Sequence, residues 1–249
     1  MKWEDEGILL SSRRHGEHNA IIEVLTPGHG RHAGLVKYAY SQKNVNLLEP
    51  GMQLNLVWNA RLQEQLGVFS IDKVKSRTSA LIRSKQILLA FNSIISLLLL
   101  SLPDREPFKK IYETTVDLID SMQDDNCWLS SYVRWELFML AELGFGLDLS
   151  KCAVTGKNVD LIYVSPKTGR AVSAGAGRKW DNKLLRLPKF LTESEDLIET
   201  DTALISSGMI LTGYFYEKWA LKALEKKISS GGEAKIFYLL IKLIMGSFK

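Results

Sequence analysis

Histidine, cysteine and proline are scarce in this chain of 249 residues, and each shortage narrows what it can be. The two cysteines, Cys127 and Cys152, make no staple pattern, which excludes a disulfide framework and suits a compartment where thiols stay reduced. Six prolines and 18 glycines without a period exclude collagen-like and low-complexity chains. All four histidines fall within the first 32 residues, so no later nucleophile has an imidazole near it in sequence. No Gly-x-Ser-x-Gly elbow and no phosphate-cradling glycine loop occurs, and Gly175-Ala-Gly177 is too short to be one. Cys152 is therefore expected to be a small buried thiol, and the chain a binding protein rather than an enzyme.

A long apolar run is missing too. The longest, Ile87 to Leu102, is 16 residues and contains Asn92, Ser93, Ser96 and Ser101. As a helix it would extend about 24 Å, short of a bilayer core of about 30 Å. It reads as a buried helix. The opening Met-Lys-Trp-Glu-Asp-Glu-Gly has no basic start and no apolar centre, so no secretory leader is expected and the compartment is the cytoplasm. What remains is ordinary globular material, 46% apolar and 24% charged, enough for one or two domains.

The net charge of +4 is unevenly spread. Residues 1–80 carry +2, residues 81–149 carry −4 and residues 150–249 carry +6. The stretch 151–190 holds nine basic residues against Asp160 and Asp181. Basic regions flanking an acidic middle suit a polyanionic partner, because local positive fields draw phosphates at modest overall charge.

Five short runs open the chain: Gly7–Arg13, Ala20–Leu25, Gly30–Lys37, Gln53–Ala60 and Gly67–Val74. Turn residues bound them, as in Thr26-Pro27-Gly28-His29-Gly30 and Pro50-Gly51. In the fourth, Leu54, Leu56 and Trp58 alternate with polar neighbours. Five strands in this length fit a small closed barrel, of the OB or the SH3-like kind. Arg13, Arg14, Arg31, Lys37, Lys43 and Arg61 fall at its strand ends and loops, and Tyr38 and Tyr40 interleave with Lys37 and Lys43. Cations along a backbone with aromatic faces for bases are what single-strand binding requires. The pairs His15-x-x-His18 and His29-x-x-His32 suggest metal ligands, but on an extended chain an i,i+3 pair faces opposite ways, so no metal site is expected.

Helical periodicity takes over at Ser79–Leu102, with Ser79 as N-cap and Pro103 as stop, then at Phe108–Met122 and about Cys127–Leu143. The third carries Arg134 and Glu136 on a largely apolar helix, where buried charges need partners. Between Cys152 and Lys189 the pattern fails, and a β-hairpin or knuckle carries the basic cluster, with Lys167, Arg170, Arg178 and Lys179 as candidate phosphate contacts. Helices resume at Asp201–Ile228 and Glu233–Met245.

Two local patterns carry a resemblance. One is Asp5-Glu6-Gly7-Ile8-Leu9 with Arg14-His15-Gly16-Glu17, Ala20-Ile-Ile22, Leu25-Thr26, His29-Gly30 and Leu48-x-Pro50-Gly51. The other is Arg134-x-Glu136-Leu137-x-x-Leu140-x-x-Leu143-Gly144-Phe145, followed by Leu147 and Cys152. Over most of its length the chain resembles the bacterial recombination-mediator family RecO, in its alphaproteobacterial form. The resemblance implies an α+β multidomain chain. A five-stranded OB-fold β-barrel (residues 1–78) precedes an all-α domain (79–249), which a small zinc-free knuckle or hairpin (151–190) interrupts. It implies binding of single- and double-stranded DNA and annealing of strands at the nucleoid. It also implies cooperation with RecR, contact with the acidic tail of single-strand binding protein, and indirect help to RecA, with no cofactor.

Two departures stand out. Some members hold zinc with two Cys-x-x-Cys pairs, whereas here Cys152 stands alone, with Thr155, Ser173 and Ala176 at the other ligand positions. The loop after the third strand, often strongly basic in the family, reads Tyr38-Ala-Tyr-Ser-Gln-Lys-Asn44, which shifts the expected contacts toward Arg13, Arg14, Arg31, Arg61 and the knuckle. The alternative is an OB-fold scaffold for RNA or protein without annealing activity.

Overall fold

The computed structural model describes residues 1–123, 128–193 and 198–220. The chain divides into two compact units, 1–123 and 124–249.

The first unit opens with β1 (Lys2–His15), β2 (Asn19–Thr26) and β3 (Gly30–Val36), followed by β4 (Gln53–Asn59) and β5 (Val68–Lys75). They close into a barrel in the order β1-β2-β3-β5-β4. β1 is longer than the sequence pattern suggests. Its first half pairs with β4 and its second with β2, and a register shift between Leu9 and Ser11 bends it from one to the other. β5 inserts between β3 and β4, parallel to the first and antiparallel to the second. That crossover settles the choice between barrels in favour of the five-stranded OB arrangement.

Leu9, Ile22, Val24, Val36, Leu54, Leu56, Trp58, Phe69 and Ile71 fill the interior. Ile8, Leu10, Ile21 and Leu25 are buried as well, which is why β2 does not alternate in hydropathy. A strand covered on both faces has no polar side to show.

Helices α1 (Thr78–Leu81), α2 (Lys85–Ser101) and α3 (Lys109–Ser121) belong to the same compact unit, and α3 packs on β2. The single helix expected from Ser79 is thus broken at residues 82–84. Ser84, with extended backbone, caps the second piece by accepting the Ile87 N–H at 3.1 Å. A side-chain oxygen that satisfies an orphan amide makes a new helix start cheaper than continuing the old one. Where β5 meets α3, Arg77 is buried and donates to Asp120 from Nε at 2.6 Å, with a second bond to Gln53.

The second unit contains α4 (Trp128–Leu140), which runs into a wider turn at Ala141–Phe145. A three-stranded sheet follows, from β6 (Leu161–Val164), β7 (Ala171–Ser173) and β8 (Leu185–Arg186), in the order β7-β6-β8. The short α5 (Ala174–Gly177) lies between β7 and β8, and α6 (Thr202–Phe215) packs on α4. Asp201 caps α6 by accepting the Ala203 N–H at 2.8 Å. The expected hairpin is thus the core of a small sheet. Cys127 and everything expected beyond Ala220, including the helix at 233–245, lie outside the described residues. Among the described residues no helix is long and apolar enough to cross a membrane.

Candidate nucleic-acid interface

Strand register brings part of the basic set together. Arg14 pairs with Ala20, which pairs with Val36, so the end of β1 and the end of β3 share one rung. Arg13, Arg14 and Lys37 are therefore neighbours at one end of the barrel, all three exposed and none with an ion-pair partner among the described residues. The β1–β2 turn is tied to the loop after β3 by the Ala39 N–H on the His18 carbonyl (2.8 Å) and the Tyr38 N–H on the Asn19 side chain (3.2 Å). Arg14 is held by the carbonyls of Gly16 and Glu17, and its guanidinium lies 5.2 Å from the centre of the Tyr40 ring.

Tyr38 is the unusual residue here. Its φ of +51° is left-handed, a region that bulky side chains avoid, and its side chain is 70% exposed. Asn19 holds its amide and the Asn44 side chain donates to its carbonyl at 3.3 Å. Two asparagines thus fix a strained backbone that turns an aromatic ring to solvent.

The other barrel candidates lie apart from this tip. Arg31 pairs with Leu25, five residues along β2 from Ala20, or roughly 17 Å along the strand. Its guanidinium is bound to Glu23 at 3.0 Å and Asp104 at 2.5 Å, so its charge is already met. Lys43 belongs to the tip loop but pairs with Asp72 at 3.2 Å. Arg61 is exposed in the loop after β4, beyond Asn59, which pairs with Lys2 at the opposite end of β1.

In the second unit, Lys167 is exposed in the β6–β7 turn, while Arg170 donates to Asp148 at 3.2 Å. Arg178 and Lys179 are exposed on the turn after α5, where Trp180 is 55% exposed and Lys183 stands 5.3 Å from its ring centre. Sequence reading missed Trp180 and Lys183 as members of this group. A solvated tryptophan between lysines was the signal that could have found them.

The same unit holds the position at which some family members bind zinc. Cys152 is buried with Tyr163 and Val172, and Ala176 packs on them. Its sulfur accepts the N–H groups of Ser173 (3.2 Å) and Thr155 (3.5 Å) and the Ser173 hydroxyl. Burial works to raise the thiol, but these donors outweigh it and bring it down to about 6. The four histidines do not converge: His15 and His18 flank the exposed β1–β2 turn, His29 bonds Asp5 at 3.2 Å, and His32 is buried. Among the described residues no three His, Cys, Asp or Glu side chains gather where a metal could sit.

Of the two charges on α4, Glu136 belongs to the interior. Its Oε2 accepts the Thr212 hydroxyl at 2.6 Å, and the Tyr216 hydroxyl donates to its main-chain carbonyl at 2.8 Å. Burial pushes its carboxyl up to about 7 against the pull of Thr212 and Tyr132. Arg134 lies 5.7 Å from the Phe190 ring centre and donates to the Glu193 carbonyl.

Two family models match, Recombination protein O N terminal over residues 1–77 and Recombination protein O C terminal over residues 86–226. The chain belongs to the recombination protein O family. It is 43% identical to a DNA repair protein RecO of Cereibacter sphaeroides, covering 97% of this chain and 100% of that one. A DNA repair protein RecO of Ruegeria sp. is 46% identical over 85% of this chain and 88% of its own. One from Rhodopseudomonas palustris strain HaA2 is 49% identical over 79% of this chain and 78% of its own. The RecO family models part at residues 77 and 86, where barrel gives way to helices, whereas packing keeps α1 to α3 with the barrel.

Proposed function

We propose that the chain is a non-enzymatic DNA-binding mediator of recombinational repair, working in the cytoplasm at the nucleoid. It binds single- and double-stranded DNA and anneals complementary strands. With RecR it helps load RecA onto DNA coated by single-strand binding protein, whose acidic tail it contacts. Similarity to proteins named for DNA repair supports the role.

The barrel tip carries the reading. Arg13, Arg14 and Lys37 present three charges that no carboxylate among the described residues neutralises, beside the Tyr38 ring held outward by Asn19 and Asn44. The charges track phosphates, and the ring offers a face to any base, which gives binding without sequence preference. Cations lying between two strands lower their mutual repulsion and raise the rate at which complementary bases meet. No proton transfer or covalent step is needed. Arg178, Lys179 and Lys183 with Trp180 repeat the same chemistry in the second unit and form the second proposed contact surface, and Lys167 on the β6–β7 turn is a separate exposed candidate.

The test is annealing of complementary oligonucleotides precoated with single-strand binding protein. The chain should accelerate pairing, and the triple variant Arg13→Ala, Arg14→Ala, Lys37→Ala should lose most of that acceleration. Equal binding of RNA and DNA with no annealing would instead identify a scaffold.

A further inference from the structure

At the other end of the barrel a cleft of about 450 Å³ opens between the start of β1, the β2–β3 turn and the loops at residues 60–67 and 103–107. That volume is in the range of about 300–1,000 Å³ usual for small-molecule sites. Lys2, His29, His32 and Arg105 line it together with Trp3 and Trp58, and among the described residues no carboxylate does.

The cleft is built rather than incidental. The close approach of the 103–107 loop requires Gly30, where φ is +63° and a Cβ would fall 1.8 Å from the Glu106 carbonyl oxygen. Arg105 itself has a left-handed φ of +62°, and its N–H donates to the Arg31 carbonyl at 2.7 Å. Its guanidinium donates to the carbonyls of Gln63 and Gln65 and lies 6.0 Å from the Trp58 ring centre. Carbonyls fix its position but leave its charge in place. His29 stacks on Trp3 at 4.0 Å and bonds Asp5, while Lys2 pairs with Glu4 at the exposed rim, where such pairs contribute little.

His32 points to a ligand. The residue is 3% exposed and packed edge-on against Trp3, Trp58 and Phe69, and among the described residues neither ring nitrogen has a hydrogen-bond partner. Buried polar groups without partners are rare, and a bound species commonly supplies what is lacking. Burial, Arg105 and His29 together push this imidazole down to about 4, against a smaller opposing pull from Asp104. The cleft therefore brings the Arg105 and Lys2 cations to a buried imidazole that is neutral at neutral pH.

We propose, resting on the DNA-binding reading above, that this cleft is a second phosphate site that takes one phosphate group of a nucleotide against Arg105, Lys2 and His32. Phosphate offers oxygens on several sides, which suits donors arriving from β1, β3 and the loop after α2; a planar carboxylate pairs best with one guanidinium fork. The site is distinct from the tip, since Lys2 opens β1 and Arg13 and Arg14 lie near its other end, up to roughly 40 Å further along an extended strand. The phosphate is either a diester within a DNA strand or the monoester of a strand end or free nucleotide.

The experiment follows the His32 ring resonances of the full chain by NMR through a pH titration. The probes are inorganic phosphate, dTMP, and a short oligothymidylate with and without a 5′-phosphate. At least one of them should move the His32 signals and raise the pH at which the ring titrates. The unphosphorylated oligomer acting as well as the phosphorylated one identifies the diester, and dependence on the 5′-phosphate identifies the monoester. Arg105→Gln should weaken the effective probe roughly tenfold, and Lys2→Gln, at the exposed rim, should weaken it less. Signals that no phosphate probe moves, in protein that still binds DNA, overturn the site and spare the DNA-binding reading. Signals that phosphate moves in protein that binds no DNA do the reverse. Movement by an acidic peptide but by no phosphate probe also overturns the proposal.

Discussion

Two side chains carry opposite relations between stability and their surroundings. Tyr38 sits in a backbone conformation that costs an L-residue roughly 1–2 kcal/mol and that glycine adopts freely. Tyr38→Gly should therefore raise the melting temperature slightly while weakening single-strand binding by roughly fivefold to a hundredfold, since one stacked base contributes roughly 1–3 kcal/mol. Thermal melts and fluorescence titration read the two effects separately. A variant that gains stability without losing affinity would remove the ring from the site. Glu136 is held up at about 7 by burial, from an ordinary value near 4.5. Folding thus favours its protonated form. The stability linked to this group is fully present below about pH 4.5 and is lost as pH rises through 7. A rise of that size corresponds to roughly 3 kcal/mol. Glu136→Gln should flatten the fall in stability between pH 5 and 8 in denaturant titrations. An unchanged slope would show that the carboxyl is not the titrating group.

At the level of elements, the buried cation Arg77 holds the end of β5 to α3 through Asp120. Burial works to raise the Asp120 carboxyl, but the bonds from Arg77 and Lys75 outweigh it and keep it below the usual carboxylate range. Its contribution is present at neutral pH and lost as acid protonates it. Asp120→Asn should destabilise the chain by roughly 3 kcal/mol, because it leaves a buried guanidinium without counter-charge. Chemical denaturation measures this, and a loss below about 1 kcal/mol would mean that Gln53 suffices as partner. The tip depends on its elements in the same way. Asn19 begins β2 and Asn44 lies in the loop after β3, yet both bond Tyr38. Nothing in local sequence joins them.

For the whole molecule the governing quantity is charge that remains free. Net charge is only +4, and Arg31, Lys43 and Arg170 spend theirs on Asp or Glu. If Arg13, Arg14 and Lys37 each meet a phosphate, replacing all three by alanine should reduce the slope of log affinity against log salt by about 2. Removing Arg178 and Lys179 should reduce it by about 1.4. Salt titrations of single-strand binding test both, and slopes that stay put would place the contacts elsewhere.

Much of this molecule is written in short-range pattern. Turn residues at Pro27-Gly28 and Pro50-Gly51, the alternation of Leu54, Leu56 and Trp58, and the spacing of Ile111, Thr115, Leu118 and Ile119 specify where strands and helices form. Backbone geometry acts over a few residues, so a few residues suffice to read it. Which cations stay free is decided at long range. Glu23 and Asp104 close on Arg31 from different elements, and Asp72 finds Lys43 across a loop. Only the register of a closed barrel separates Arg31 from Arg13, Arg14 and Lys37, because pairing between distant strands has no signature in either strand alone.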